Sequence, residues 1–229
     1  MSRRQISRGT CVFCKKAYAK TGMSRHLKAC KARKAAIAAE DANGAPTTRL
    51  FHLAVAGTYA SDYWLHLEMS ANATLYDLDQ FLRDIWLECC GHLSMFEIMG
   101  KRFMSTVFDS WWEEDERDMN SKLVQVLTPG LKFSHEYDFG TPTNLTLQVV
   151  SERQGAMHED ELIHILARNE PPDWRCEVCG EPATCICVFC DYTFLCDKCI
   201  ETHSCGEEGL LPVVNSPRMG MCGYTGDAW

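Results

Sequence analysis

Apolar residues alternate with polar ones in several short segments in the middle of the chain. Phe51, Leu53 and Val55 alternate with their neighbours in RLFHLAVAG, and the same spacing recurs in DYWLHLEMS. Two further alternating segments, LKFSHEYDFG and TNLTLQVV, flank a turn that contains Gly140 and Pro142. A period of two is typical of strands with one buried face, so all four segments are predicted strands. HLSMFEIMGKRFMS predicts two shorter strands around a glycine.

Helical spacing interrupts this pattern. In TLYDLDQFLRDIWLEC, Leu75, Leu78 and Leu82 fall on one helical face, and Thr74 with Asp77 forms a capping box at its start. HEDELIHILAR predicts a short helix, and the alanines of KARKAAIAAE favour another near the N-terminus. The middle of the chain is therefore expected to be an α+β domain, with one main helix packed on an antiparallel or mixed sheet.

Composition adds a charge asymmetry to this picture. The proportions, 46% hydrophobic and 24% charged, are those of an ordinary folded protein. The first 39 residues contain 11 of the 23 Lys and Arg residues and none of the 31 Asp and Glu residues. A basic arm on an acidic body is typical of proteins that contact nucleic acid, and a solvated basic tail is the alternative.

The meaning of the cysteine content depends on the compartment. The chain has no apolar run of the roughly 18 residues that a membrane helix needs, and no apolar core of a secretory signal. We therefore expect a cytoplasmic protein with no membrane partner. Because a reducing cytosol keeps thiols free, the 14 cysteines indicate metal binding wherever they stand at ligand spacing.

An N-terminal cluster has such spacing. It reads Cys11-x2-Cys14-x11-His26-x3-Cys30. Two thiolates in a tight turn and two ligands one helical turn apart can complete a tetrahedron around zinc. The segment resembles a C2HC variant of the ββα zinc finger.

This finger is basic, but most of the residues at its base-reading positions cannot make specific contacts with bases. Of the residues expected to face the bases, Ala19, Gly22 and Arg25, only Arg25 can make a bidentate guanine contact. Weak, salt-sensitive contact with phosphates is the nucleic-acid function to expect, and a protein-binding finger is equally consistent. The candidate phosphate contacts are Arg3, Arg4, Arg8, Lys15, Lys16, Lys20, Arg25, Lys28 and Lys31.

A second, richer cysteine run lies near the C-terminus. It contains four ligand pairs, enough for two zinc ions, and alternating pairs predict a cross-brace. One ion would be held by Cys176, Cys179, Cys196 and Cys199, and the other by Cys187, Cys190, His203 and Cys205. The run resembles a B-box-type module, although its last two ligands are closer together than that family usually has. Cys222 is the alternative to Cys205, and Cys185 lies outside the pattern.

Redox chemistry and iron–sulfur ligation are the alternatives to zinc for these residues. Interleaved CxxC pairs without a thioredoxin-like context favour metal over redox function. An iron–sulfur cluster also takes four cysteines, and spacing alone does not separate it from zinc. Sets of four Cys and His ligands leave no open coordination position, which is typical of structural rather than catalytic zinc. We therefore expect about three structural zinc ions in the protein.

No catalytic motif is complete. The adjacent Cys89 and Cys90 follow an apolar helix and are predicted core residues. Four histidines in the middle domain could converge on a site, but histidines on a sheet are usually structural; they are His52, His66, His92 and His135.

The middle domain resembles the plasmid pRiA4b ORF-3-like family. The resemblance rests on TLYDLDQFLRDIWLECCGHLSMFEI, with His92 and Phe96, on LTPGLKFSHEYDFG, and on NSPRMGMCGYTG near the C-terminus. Many members have an acidic residue and a tryptophan–histidine pair after the YDFG segment, where this chain has TPTNL. The resemblance implies an α+β fold and a mobile-element setting, and it implies no particular reaction.

Together these observations predict an α+β fold whose central sheet and main helix are flanked by two small zinc-stabilised modules. The expected parts are a basic C2HC finger and helix at 1–40, a linker at 41–48, the family-like domain at 49–169, and a two-zinc module with a tail at 174–229. The expected function is that of a non-enzymatic zinc-binding adaptor or regulator with a protein or nucleic-acid partner, and the sequence identifies no small-molecule substrate. A mobile-element-associated nucleic-acid-binding protein is the alternative, and an enzyme with an unrecognised middle-domain site is the third hypothesis.

Overall fold

The N-terminal segment that contains the predicted zinc ligands forms two short strands and a helix. In the computed structural model, which describes residues 6–42, 47–105, 116–157 and 161–226, β1 covers Arg8–Cys11, β2 covers Ala17–Ala19 and α1 covers Lys20–Ala29. Helix α2 (Lys31–Ala42) follows, as its alanines predict. The ββα arrangement expected for the finger is therefore present.

Strands dominate the middle of the chain, and the alternating segments are confirmed as strands. The elements, in order, are β3 (Thr47–Gly57), β4 (Trp64–Ser70), α3 (Leu75–Leu82), β5 (Ser94–Ile98), β6 (Lys101–Met104), β7 (Glu116–Asp118), α4 (Leu123–Val126), β8 (Lys132–Tyr137), β9 (Thr143–Ala156) and β10 (Ile163–Asn169).

Ten strands in the described part of the chain form one sheet in the order β2-β1-β10-β4-β3-β9-β8-β5-β6-β7. Neighbours are antiparallel except β6 and β7, so the sheet is mixed. The predicted α+β class is confirmed. The finger strands extend this sheet, because β1 pairs with β10 from Gly9↔Asn169 onward.

Strand β4 lies in the interior of the sheet, and all seven of its residues are buried. Its prediction as a half-buried strand is wrong, because the N-terminal helices cover the second face. Trp64 belongs to a buried cluster with Met23 and Leu27 of α1, and Glu68 binds an arginine of α2. Polar residues of β4 are consequently enclosed where the sequence pattern places them in solvent.

Helix α3 begins at the predicted capping box. The backbone N–H of Asp77 donates to Thr74 Oγ1 at 3.1 Å, and the backbone N–H of Thr74 donates to Asp77 Oδ2 at 2.7 Å. The predicted helix continues to residue 89, whereas α3 gives way to a single π-helical turn at Arg83–Leu87. Such turns are rare and frequently lie beside functional residues; the segment that follows this one contains Cys89 and Cys90.

The helix predicted from HEDELIHILAR is wrong. Its described part contains β10, which pairs with β4 and β1, so sheet formation outweighs the local helical spacing. Residues 158–160 lie outside the described residues, as do residues 43–46 in the predicted linker. The described ends of that linker belong to α2 and β3.

The chain divides into two compact units, Met1–Phe81 with Leu93–Glu170, and Leu82–His92 with Pro171–Trp229. This division differs from the predicted one. The finger belongs to the first unit because its strands join the large sheet, and the short segment Leu82–His92 belongs with the C-terminal residues.

The second unit contains little regular structure. Besides the π-helical turn at Arg83–Leu87, it contains β11 (Cys185–Cys187), β12 (Thr193–Leu195), α5 (Asp197–Ile200), a 3-10 turn at Glu207–Gly209 and β13 (Leu210–Pro212). Its strands form a sheet in the order β12-β11-β13. Nowhere in the described residues is a helix both long and apolar enough to cross a membrane.

Candidate metal centres

The structure brings Cys11, Cys14, His26 and Cys30 together in what we call the finger cluster. Their ligand atoms lie within 4.8 Å of one another, and Cys14 Sγ is 3.4 Å from His26 Nε2. Cys11 ends β1, and the chain reverses at Lys15, whose backbone N–H donates to the carbonyl of Cys11 at 2.9 Å. His26 lies in α1, and Cys30 directly follows the helix.

The electrostatics of the finger cluster suit a cation. Burial lowers the pKa of His26 below its usual value, so the imidazole is neutral at pH 7 and its nitrogen can bind a metal. The backbone N–H of Lys16 lowers the pKa of Cys14, whereas burial raises the pKa of Cys11. The cluster therefore has one thiol with a lowered pKa beside a neutral imidazole.

The first C-terminal cluster consists of Cys176, Cys179, Cys196 and Cys199. Cys179 Sγ and Cys196 Sγ are 3.5 Å apart. One pair of ligands lies in a turn closed by the backbone N–H of Gly180, which donates to the carbonyl of Cys176 at 2.8 Å. The other pair begins α5.

The second C-terminal cluster consists of Cys187, Cys190, His203 and Cys205. Cys190 Sγ lies 3.3 Å from His203 Nε2. The two C-terminal clusters use alternating ligand pairs along the chain, which is the cross-brace order. Cys185 is buried in β11 and belongs to neither set, and burial raises its pKa.

Each C-terminal cluster contains one thiol that ionises near neutral pH. Burial opposes ionisation of Cys176, but backbone N–H groups, beginning with that of Cys179, outweigh it and lower the pKa to about 6. Burial likewise opposes ionisation of Cys187, and hydrogen bonds from Cys190 and His203 lower its pKa to about 6. These two thiolates are the natural first ligands for a metal ion, because the thiolate is the form that coordinates.

A fourth cluster was not predicted. It consists of Cys89, Cys90, His92 and Cys222, with ligand atoms within 4.8 Å of one another. Cys222, the alternative ligand to Cys205, thus lies in a different place from the second C-terminal cluster. The prediction of Cys89 and Cys90 as core residues is wrong, since one is half-buried and the other exposed.

All four clusters could hold metal ions. Zinc bonds of about 2.3 Å to sulfur and about 2.0–2.1 Å to nitrogen set tetrahedral edges of about 3.8 Å between sulfurs and about 3.5 Å between sulfur and nitrogen. The separations of 3.3–3.5 Å within the finger and C-terminal clusters are close to these edges. Thiolate and imidazole ligands in sets of four are compatible with zinc.

The residues predicted to contact phosphates fall into three groups: those outside the described residues, those bound to the protein itself, and those exposed to solvent. Arg3 and Arg4 lie outside the described residues. Arg8 donates to the carbonyl of Ala17 at 3.0 Å, and Lys20 donates to the carbonyl of Ser61 at 2.9 Å, so both bind the protein itself. The remaining candidates are exposed, namely Lys15, Lys16, Arg25, Lys28 and Lys31.

A cleft of about 670 Å³ lies in the first unit, beside α1 and α2. At one wall, Glu68 accepts from Arg33 at 2.6 Å and from Arg153 at 2.6 and 2.9 Å. The cationic residues that line the cleft are Arg25, Lys28, Arg33, Lys34 and Arg153, and the anionic ones are Glu68 and Glu152. The lining therefore carries an excess of positive charge.

The four histidines proposed to converge do so only in part. His52 lines the cleft, and its Nε2 is 2.9 Å from His66 Nδ1. Burial lowers the pKa of His52 to about 4 and that of His66 to about 3, so both are neutral at pH 7. His135 instead contacts Asp79 at 2.7 Å, and His92 belongs to the fourth cluster.

Comparison with known proteins yields no assignment. No protein-family model and no curated protein matches the chain, so membership of the pRiA4b ORF-3-like family stays a prediction. Four chains of solved structures match. One is a protein of unknown function, MM3350, from Methanosarcina mazei Go1, with 16% identity and a TM-score of 0.43 over 52% of this chain and 67% of that one. A likeness of this size carries no functional argument.

Proposed function

We propose that this protein is a non-enzymatic, zinc-binding adaptor or regulatory protein of the cytoplasm. About three structural zinc ions, in the finger cluster and the two C-terminal clusters, would hold surfaces for a protein or nucleic-acid partner. The observation that supports the proposal is that two stretches of ligand spacing close into three complete sets of four donor atoms, each set within 4.8 Å.

Ligand chemistry favours zinc among the metals. Two of these three sets contain a histidine, whereas the common iron–sulfur clusters take four cysteines. Each set supplies four protein ligands, which fills a tetrahedron and leaves no position for a substrate or an activated water. Such closed sites act by stabilising the fold.

Metal analysis tests this proposal directly. Protein purified under reducing conditions should contain zinc, and removal with a strong chelator should unfold the second unit. Cys187→Ser should lose one equivalent of zinc. Cys185→Ser is the matched control, because that thiol is also buried in β11 but lies outside every cluster of the described residues. Retention of wild-type folding in metal-free protein would refute a structural role.

The basic cleft supports a second candidate function, contact with the phosphates of a nucleic acid. Arg33 and Arg153 are bound to Glu68, but Arg25, Lys28 and Lys34 extend around the same cleft and are exposed or half-buried. The Nε of Arg33 is buried and has no hydrogen-bond partner in the described structure. Arginine and lysine side chains bind the phosphodiester backbone of a nucleic acid through its charge, without reading the base sequence.

Salt-dependent binding tests the cleft. An Arg25→Ala, Lys28→Ala double variant should weaken binding to random duplex DNA and reduce the magnitude of the salt slope by about one for each phosphate that is no longer neutralised. The matched control is Lys101→Ala, Lys132→Ala, which removes the same charge from exposed strand positions of the same unit. If the two variants weaken DNA binding equally, the binding reflects general attraction between DNA and positive charge, and the cleft is rejected as the phosphate-binding site.

A further inference from the structure

The loop after the π-helical turn and the C-terminal tail meet at the fourth cluster, within the second unit. His92 Nε2 is 3.2 Å from Cys222 Sγ, and Cys90 Sγ is 4.0 Å from the same sulfur. A tetrahedral zinc ion requires about 3.5 Å and about 3.8 Å for these two edges. These two separations are therefore already near those that one ion imposes, and all four donor atoms lie within 4.8 Å of one another.

Bonds outside the cluster hold both of its halves in place. Ser216 Oγ donates to the carbonyl of Trp86 at 2.6 Å and accepts from the backbone N–H of Arg218 at 2.9 Å. On the other side, Arg83 donates to the carbonyl of His92 at 2.7 Å. The tail and the loop are thus fixed relative to each other by buried polar contacts, and the ligands are preorganised.

The backbone at Cys222, one of the four residues of this cluster, adopts a strained conformation. Its φ is 48°, in the left-handed region that residues other than glycine rarely adopt. The glycine that follows it, Gly223, also has a positive φ, of 69°. Strain at a non-glycine residue is usually retained where function requires it.

Charge also suits a metal ion here. Three thiolates and a neutral imidazole around a divalent ion leave a net charge of about −1. The guanidinium of Arg218, a fully buried residue, donates to Cys89 Sγ at 3.4 Å. A cation in contact with a ligand sulfur offsets that negative charge.

We propose that Cys89, Cys90, His92 and Cys222 form a fourth zinc centre, which staples the C-terminal tail to the loop at 88–92 and exchanges its ion faster than the other three. Exchange is faster because Cys90 and Cys222 are both exposed and none of this centre's sulfurs is buried, whereas every other cluster has at least one buried sulfur and at most one exposed one, that of Cys179. A chelator or a competing thiol can reach an exposed sulfur directly.

Zinc stoichiometry and release kinetics test the fourth centre. Reduced wild-type protein should contain about four zinc ions, one for each cluster. Without denaturant, a chromophoric chelator should remove one equivalent in a fast phase. Cys222→Ser and Cys90→Ser should each lose one equivalent and the fast phase together. Cys90 is exposed, so its substitution removes no buried side-chain packing, and Cys185→Ser should retain all the zinc.

The outcomes separate this proposal from the preceding one. If all variants bind the same zinc as wild type and show the same release kinetics, the fourth centre is rejected and the other three stand. A Cys90–Cys222 disulfide, found by mass mapping in protein whose other clusters are loaded, would also reject it. Protein that binds no zinc at all would reject both proposals.

Discussion

Glu68 keeps a carboxylate inside the first unit, with only 4% of its side chain exposed. Two arginines on different elements bind it, Arg33 of α2 and Arg153 of β9, through three hydrogen bonds of 2.6–2.9 Å. Replacing Glu68 with glutamine keeps the shape but removes the charge and turns an amide N–H₂ toward the guanidinium groups.

The loss of stability follows from the burial of these groups. Breaking a buried ion pair by removing one partner costs about 3–5 kcal/mol, because the remaining charge stays unpaired in the interior. The side chains of Arg33 and Arg153 are 11% and 20% exposed, so water recovers part of their hydration. We therefore expect the lower end of the range for Glu68→Gln, about 3 kcal/mol.

Urea titration of the first unit, followed by far-UV circular dichroism, measures this loss. Glu152→Gln is the matched control, because Glu152 lies 3.9 Å from Arg49 and both side chains are largely exposed. A pair of that kind contributes about 0–1 kcal/mol. If the two variants lose the same free energy of unfolding, the enclosure of Glu68 does not govern the stability of this unit.

Three further predictions concern the same unit. Gly9→Ala should cost about 1–3 kcal/mol, because the added Cβ would overlap a backbone carbonyl and lie 2.6 Å from a tryptophan ring. Gly22→Ala places its Cβ in open space in α1 and should instead stabilise the protein by about 0.5–1 kcal/mol. In urea titration the two variants should therefore change the free energy of unfolding in opposite directions, and changes of the same sign would contradict this reasoning. Asp77→Ala removes one side of the capping box and should cost about 1 kcal/mol; an unchanged midpoint would show that the box is not needed. The folded pKa values of His52 and His66, about 4 and about 3, lie below the ordinary 6.5, so stability should be full above pH 6.5 and fall as the pH drops toward 4, by up to about 1.4 kcal/mol per pH unit for each histidine. Substituting both with glutamine should flatten this pH profile, and an unchanged slope would contradict the assignment.

Local sequence pattern was sufficient wherever one segment determines its own structure. The alternation in β3 predicted a strand because Phe51, Leu53 and Val55 face one side of the sheet and are buried there. The spacing of each ligand pair in the finger and C-terminal clusters reflects a tight turn or one helical turn, which the chain forms locally. The grouping of these cysteines and histidines could therefore be predicted from the sequence, although the His203–Cys205 pair has shorter spacing than the others.

Long-range contacts account for what the sequence pattern missed. His66 and Glu68 alternate with apolar residues in β4 as if they faced solvent, yet helices from the N-terminal segment cover them. Strand β10 has helical spacing but pairs with two strands distant in sequence. The fourth cluster joins Cys90 to Cys222 across 132 residues. Its sequence indications were CCGH, whose cysteines and histidine belonged to no predicted zinc set, and Cys222, which was predicted only as an alternative to Cys205.

The clusters differ in what surrounds them, and this determines how much of the fold a metal ion would stabilise. Cys11 and Cys30 pack into a core with Met23, Leu27 and Trp64, which is part of the large sheet's own hydrophobic interior. The buried cluster around the C-terminal ligands consists of cysteines and a single leucine. The second unit has other buried apolar residues, such as Trp86 and Ile186, but they lie outside that cluster. Burying one leucine contributes about 1.5–3 kcal/mol, so metal ions would supply a larger share of the local stability at the C-terminal clusters than at the finger cluster, where a core already exists.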